Sequence, residues 1–149
     1  MSPVKILIID DMQSIRDALR AYLCPPASAM DMLNSLLKQG AIPTTEFLVN
    51  EAEQGEEGVA MARSAYAIGK PYDVIFIDML MPPGIGGLEV IKRIRSFDAL
   101  TKIVVCTAIS NEAPAEMLEA NNGVMPLLLS KPLTETQNLP QLVQSLLAL

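Results

Sequence analysis

The feature that most constrains the fold of this chain is the regular alternation of short apolar runs with amphipathic helical patterns. Five of these runs are rich in β-branched residues and have the length of strands, and they lie at 4–9, 47–50, 73–77, 102–107 and 125–129. Three are nearly continuous apolar runs, which is typical of strands that helices cover on both faces of a parallel sheet. The sequence therefore predicts a doubly wound α/β fold with a five-stranded parallel sheet.

Helical periodicity between these runs predicts five helices, at 14–23, 55–68, 88–97, 112–120 and from 140 onward. Ser14 followed by Asp17 has the spacing of a capping box, so we expect Ser14 to cap the first helix. Pro140 is typical of a first helical position and should begin the last helix.

The segment 27–44 does not fit this alternation, because it adds an amphipathic pattern between the first helix and the second strand. We interpret it as a helical insertion within a single domain that spans residues 1–149, a length sufficient for one core. Two interpretations of its apolar stripe stay open. It either packs on the domain or forms a surface for a homodimer or another partner.

Charge and apolar run length exclude several classes of protein. The net charge is −6 and the 11 Lys and Arg residues are scattered, which argues against direct nucleic-acid binding. No apolar run approaches the roughly 20 residues that a membrane-spanning helix needs, and the first residues lack the cleavage site of a signal peptide. We therefore expect a cytoplasmic protein without nucleic-acid or membrane partners.

The residue types available limit the chemistry further. The chain has no histidine, which excludes Ser/His/Asp and Cys/His catalysis, histidine metal ligands and a phosphohistidine of its own. Cys24 and Cys106 have apolar neighbours and no nearby Cys, so we expect two reduced and buried thiols. Any chemistry must then depend on carboxylates, hydroxyls, lysine and a hard metal ion.

Polar side chains follow four of the five predicted strands at their carboxyl ends: Asp10 and Asp11, Asp78, Thr107 and Lys131. In a sheet with the strand order 2-1-3-4-5, strands 1 and 3 are neighbours at the topological switch point, where open α/β sheets bind their ligands. We therefore expect the three aspartates to converge at one edge of the sheet.

Three carboxylates at short distances repel one another unless a cation neutralises them. Oxygen ligands without Cys or His favour a hard ion, and Mg²⁺ suits an open site that also receives a phosphate. With Mg²⁺ and the Lys131 ammonium offsetting the charge of a phosphoryl group, Asp78 could act as an in-line nucleophile. The product would be an aspartyl phosphate on Asp78.

The residues around these positions form five motifs. They are Ile-Ile-Asp-Asp at 8–11, Asp-Val-Ile-Phe-Ile-Asp-Met-Leu-Met-Pro at 73–82, Gly-Gly-Leu-Glu at 86–89, Thr-Ala at 107–108 and Ser-Lys-Pro at 130–132. Together they resemble the receiver domain of two-component response regulators. The resemblance covers nearly the whole chain except the insertion, and it implies a flavodoxin-like fold. Similarity to receivers attached to hybrid sensor kinases or multidomain signalling proteins is looser.

The resemblance implies that Asp78 accepts a phosphoryl group from a histidine kinase or phosphotransfer protein. It also implies that Asp11, Asp78 and the Leu80 carbonyl hold Mg²⁺, with Asp10 acting through a metal-bound water. The domain would be a regulatory switch that catalyses only its own phosphorylation and slow dephosphorylation, and not an enzyme for other substrates.

Two further residues have implied roles in the response to phosphorylation. Thr107 and Lys131 would each bond a phosphoryl oxygen, so that phosphorylation draws both strand ends toward Asp78. Pro132 would follow a cis peptide bond.

An alternative function is a degenerate receiver that binds partners without being phosphorylated. A phosphatase is disfavoured, because Leu80 stands where such enzymes carry a second Asp as general acid.

The chain departs from the family pattern at three places. Leu128 replaces the aromatic residue found three positions before the lysine in many receivers, which puts the usual Thr/aromatic switch in doubt. The loop at 81–87 is longer than usual. Leu80 and Ile109 flank the path of an attacking water without offering a polar group, which predicts slow self-dephosphorylation. An effector domain beyond Leu149, the cognate kinase and the output are left open.

Overall fold

The computed structural model describes residues 3–24, 46–108, 114–134 and 137–149. Its strands are β1 (Val4–Ile9), β2 (Phe47–Ala52), β3 (Val74–Asp78), β4 (Lys102–Thr107) and β5 (Leu127–Ser130). Its helices are α1 (Gln13–Leu23), α2 (Gly55–Ala67), α3 (Gly87–Arg95), α4 (Pro114–Ala120) and α5 (Leu139–Leu147). Within these ranges, no helix combines the length and the apolar character needed to cross a bilayer.

All five strands are parallel and lie in the order β2-β1-β3-β4-β5, which confirms the predicted sheet. Ile9 pairs with Ile77 and Asp78 pairs with Cys106, so the carboxyl ends of β1, β3 and β4 lie side by side. This register brings the residues that follow these three strands to one edge of the sheet.

Each face of the sheet has its own apolar core. Ile9, Ile77 and Val105 point to the face covered by α2, α3 and α4. Ile8 and Phe76 point to the opposite face, which α1 and α5 cover. All five residues of β3 are buried, since it lies in the middle of the sheet with helices on both sides. Full burial of one large apolar side chain contributes about 1.5–3 kcal/mol to folding.

Several element boundaries differ from the prediction. β2 continues two residues further, to Ala52, because Glu51 pairs with arginines of α1 and both residues pair with β1. The predicted Ser14 cap is wrong, because α1 begins at Gln13 and its N-cap makes no side-chain hydrogen bond.

The two cysteines lie in different environments. Cys106 is buried on β4 as predicted, and this burial raises the pKa of its thiol to about 12. Cys24 is exposed, and the prediction of a buried thiol there is wrong, because Leu23 is the last residue of α1 that reaches the core. The predicted insertion at 27–44 and the first residues of the predicted fourth helix, 112–113, lie outside the described residues.

Candidate functional site

The three aspartates predicted to converge do lie together. Asp10 follows β1, Asp11 comes next, and Asp78 is the last residue of β3. Asp10 is fully buried, Asp78 is nearly so and Asp11 is half-buried. One carboxylate oxygen from each of the three lies within 4.8 Å of the others, an arrangement that could hold a metal ion.

Lys131 directly follows the carboxyl end of β5, and its side chain extends into this cluster. Its ammonium lies 3.3 Å from Asp10 Oδ2 and 3.2 Å from Asp78 Oδ1, and it donates a hydrogen bond to each. The main chain is fixed next to β4, because the Lys131 amide donates to the Thr107 carbonyl at 2.9 Å. The Lys131–Pro132 peptide bond is cis.

Burial and charge shift the pKa values of two groups in the cluster. Burial raises the pKa of Asp10, and the charge of Asp78 raises it further, although the Met12 amide and Lys131 act in the opposite direction. Burial alone would lower the pKa of Lys131, but the charges of Asp10 and Asp78 outweigh it and raise that pKa. The ammonium therefore stays charged at neutral pH.

The donor set of the cluster fits a hard divalent cation. Three carboxylates face one ammonium, which leaves a surplus of negative charge when all three are ionised. The donors are oxygens, and histidine is absent from the chain, so softer ions that prefer nitrogen or sulfur are disfavoured. Mg²⁺ is the ion whose preferences these residues match best.

Arg16 supports the site, and the sequence analysis did not identify it. Its guanidinium is buried, donates to the Asp10 carbonyl at 2.7 Å and pairs with Glu51 of β2 at 3.2 Å. It thereby fixes the backbone from which Asp10 and Asp11 project. A signal was available, because Arg16 shares one helical face with the apolar Leu19 and Leu23, where a charge must be paired.

The chain after β3 passes very close to Asp78. A Cβ atom on Gly87 would lie 2.8 Å from the Asp78 carbonyl and 2.9 Å from Met79 Sδ, so glycine is required for this approach. The longer loop before it is attached to α2, because the Ile85 amide donates to Glu56 Oε1 at 3.0 Å. This hydrogen bond holds the loop against the start of α2.

The remaining predicted residues border the cluster. Thr107 is buried at the end of β4, beside the strand that carries Asp78. Leu80 is 67% exposed and Leu128 on β5 is 41% exposed. Ile109 lies outside the described residues. The structure thus places Asp10, Asp11, Asp78 and Lys131 in one cluster and Thr107 on the adjacent strand end.

The family model for the response regulator receiver domain matches residues 6–144 of this chain. The chain belongs to this family. It is thus a regulatory domain of two-component signalling, and the fold, the strand order and the acidic cluster agree with that membership. Receiver domains bind Mg²⁺ in their active site, and the cluster of this domain supplies suitable ligands.

Named relatives of this receiver domain differ in length. It is 34% identical to the transcriptional regulatory protein ResD of Bacillus subtilis over 109 residues, which are 73% of this chain and 35% of ResD. It is 30% identical to the chemotaxis protein CheY of Halobacterium salinarum over 109 residues, which are 72% of this chain and 69% of CheY. The chain therefore spans about a third of ResD but most of this CheY.

Solved structures share the fold at lower identity. The receiver domain of the sensor histidine kinase PA1611 from Pseudomonas aeruginosa, solved with a magnesium ion in its active-site cleft, superposes with a TM-score of 0.68 and 20% identity over 99% of this chain and 100% of that one. CheY4 of Vibrio cholerae superposes with a TM-score of 0.66 and 24% identity over 97% and 99% of the two chains.

Proposed function

We propose that this receiver domain is a phosphorylation-dependent switch and that Asp78 is its phosphoacceptor. The observation that carries this proposal is the position of the Lys131 ammonium, within 3.3 Å of both Asp10 and Asp78 at the shared edge of the sheet. The ammonium faces two buried carboxylates of an oxygen-lined cluster, which is suited to receive a phosphoryl group.

In the proposed reaction, a carboxylate oxygen of Asp78 attacks the phosphorus of a phosphohistidine on a kinase or phosphotransfer protein. The P–N bond breaks, the electron pair returns to the imidazole nitrogen, and an aspartyl phosphate forms on Asp78. Lys131 holds one phosphoryl oxygen and Thr107 bonds another. The given sequence contains no histidine, so the phosphohistidine lies outside it.

Asp11, Asp78 and the Leu80 carbonyl would hold Mg²⁺, with Asp10 acting through a water. When bound, the ion offsets the negative charge that a phosphoryl group brings to the three carboxylates. Arg16 and the Met12 amide keep Asp10 in position for this task, since they bond its carbonyl and its side chain at 2.7 and 2.9 Å. The solved receiver domain of PA1611 with magnesium in its cleft supports this assignment.

Signal output would begin with Thr107 and Lys131, which end β4 and precede the last helix. Drawing both toward the phosphorylated Asp78 would shift the loops next to them. Leu128 cannot exchange a hydroxyl between solvent and interior, so we propose that the relay does not use an aromatic side chain at this position. We place the domain in the cytoplasm, with its kinase as a partner and with a homodimer or an attached effector domain as routes of output.

The proposal is tested by incubating the protein with acetyl phosphate and Mg²⁺ and measuring its intact mass. We expect one added phosphoryl group, located on the peptide that contains Asp78, and no addition when EDTA replaces Mg²⁺. No addition with Mg²⁺, together with partner binding that does not respond to phosphodonor, would instead support a receiver that acts unphosphorylated.

Self-dephosphorylation should be slow, because Leu80 is two residues after Asp78, is 67% exposed and offers no group to orient a water. Replacing it, Leu80→Asn, should accelerate loss of the phosphoryl group by about tenfold, below the roughly 10²–10⁴ of full acid–base catalysis. The decay of phosphorylated protein, followed by intact mass after removal of phosphodonor, measures the rate. Leu80→Met is the matched control and should decay like the native protein. Equal rates for Leu80→Asn and the control would contradict this role for Leu80.

A further inference from the structure

A second surface of interest is a cleft near the amino ends of β4 and β5, at the opposite end of the strands from the acidic cluster. It has a volume of about 240 Å³ and lies between the α3–β4 connection and the α4–β5 turn. The residues that matter for its chemistry are Arg95, Leu100, Thr101, Lys102, Val124 and Met125. None of these belongs to the acidic cluster.

The walls of the cleft are apolar, exposed and held in place. Leu100, Val124 and Met125 are 86%, 64% and 40% exposed. Asn121 joins the two sides, because its Oδ1 accepts a hydrogen bond from Arg95 Nε at 2.6 Å and its Nδ2 donates to the Val124 carbonyl at 2.8 Å. The cleft is therefore preformed, and a partner that binds there does not have to order these segments first.

The charged side chains that line the cleft are positive in a chain whose net charge is −6. They are Arg95 and Lys102, and no Asp or Glu side chain of the described residues lines the cleft. The guanidinium of Arg95 donates to two uncharged oxygens, Asn121 Oδ1 and the Asp98 carbonyl, while the Asp98 carboxylate accepts from the backbone amides of Leu100 and Thr101. The ion pairs found in the described ranges include neither cation.

Two groups beside the cleft lack a complete set of partners. Burial lowers the pKa of the Arg95 guanidinium, and the charge of Asp98 offsets only part of this effect. The hydroxyl of Thr101 is buried, and among the described residues it has no hydrogen-bond partner. A half-buried cation whose guanidinium bonds only uncharged oxygens is suited to a group that carries negative charge and accepts hydrogen bonds.

The size of the cleft indicates what kind of molecule carries that group. Small-molecule sites commonly have volumes of about 300–1,000 Å³, so 240 Å³ accommodates one or two side chains better than a whole ligand. Exposed apolar side chains around a small pocket are typical of a protein interface with a central anchor. We propose that this cleft anchors a segment of a partner protein that presents a carboxylate side chain next to an apolar one.

The test uses capped tetrapeptides as probes, added to the uniformly ¹⁵N-labelled full chain and followed by amide chemical shifts. Ser-Glu-Leu-Ser should shift the amides of Thr101, Lys102, Val124 and Met125 in a saturable manner. Ser-Lys-Leu-Ser and Ser-Glu-Ser-Ser should bind at least about tenfold more weakly, since each lacks one half of the anchor. Acetate alone should not reproduce the shifts.

Charge reversal provides the matched variants. Lys102→Glu should weaken Ser-Glu-Leu-Ser binding by about tenfold or more and make Ser-Lys-Leu-Ser the better probe. Lys92→Glu on α3 makes the same charge change outside the cleft. It should change the affinity for neither peptide. Val124→Asp, at an exposed position, is a second disrupting variant. All three should melt like the native chain and still be phosphorylated, so failure here is distinct from failure at Asp78.

Three outcomes would overturn the proposal. One is the absence of localised shifts with Ser-Glu-Leu-Ser, and another is equal binding of the lysine probe. The third is native affinity for Ser-Glu-Leu-Ser in a folded Lys102→Glu or Val124→Asp protein.

Discussion

Asp78→Asn should abolish phosphoryl uptake from acetyl phosphate and, at the same time, make the Mg²⁺-free protein more stable. Uptake is lost because an amide oxygen is a poor nucleophile and cannot form the aspartyl phosphate. Stability should rise by about 1 kcal/mol, since the substitution removes repulsion with Asp10 and Asp11 but keeps an oxygen for Lys131 to bond. Intact mass and urea unfolding measure the two effects.

The control for this substitution is Asp73→Asn, the same chemical change on the residue directly before β3. Asp73 accepts a hydrogen bond from the Lys5 amide at 2.8 Å, and asparagine can keep that bond. The variant should be phosphorylated at the native rate. Native phosphorylation of Asp78→Asn would show that another residue is the acceptor, and a loss of stability would show that the three carboxylates do not repel one another in the folded protein.

Lys131→Met should slow phosphorylation by about 10²–10³, because the reaction loses a preorganised charge beside the entering phosphoryl group. The free energy of unfolding should fall by about 2 kcal/mol without Mg²⁺, since the side chain is only 15% exposed and its removal leaves the Asp10 and Asp78 carboxylates without a neutralising cation. This effect on stability is opposite in sign to that of Asp78→Asn, although both variants lose function.

Lys131→Arg is the conservative comparison. It keeps the positive charge but replaces a compact ammonium with a planar fork, so it should preserve most of the stability and recover only part of the rate. The rate is measured by intact mass at timed intervals, and stability by urea unfolding with and without Mg²⁺. A native rate for Lys131→Met would exclude Lys131 from the reaction.

The fold was predictable because its main signals are local. The strand runs and the helical periodicity are set by burial on two faces, and the sheet order brings the strand ends together. This register places Asp10 and Asp78 next to each other although their positions in the sequence differ by 68. The roles of Asp78, Thr107 and Lys131 stay predictions until phosphorylation is measured.

The details that sequence reasoning missed depend on contacts between distant segments. Arg16 could be recognised as a support of the site only when Glu51 and the Asp10 carbonyl were seen beside it. β2 continues past Asn50 because Glu51 pairs with Arg16 and Arg20 of α1, although local propensity disfavours Glu in a strand. The prediction that Ser14 caps α1 was wrong although the local motif favoured it, because the helix begins one residue earlier, at Gln13.

The two thiols of this chain differ enough in accessibility to be distinguished chemically. Burial raises the pKa of the Cys106 thiol to about 12, so this thiol stays protonated at pH 8, and it is also shielded from reagents. Cys24 is exposed at the end of α1. A maleimide dye should therefore attach to the native chain at one position, which makes fluorescence detection of partner binding feasible without introducing or removing a cysteine.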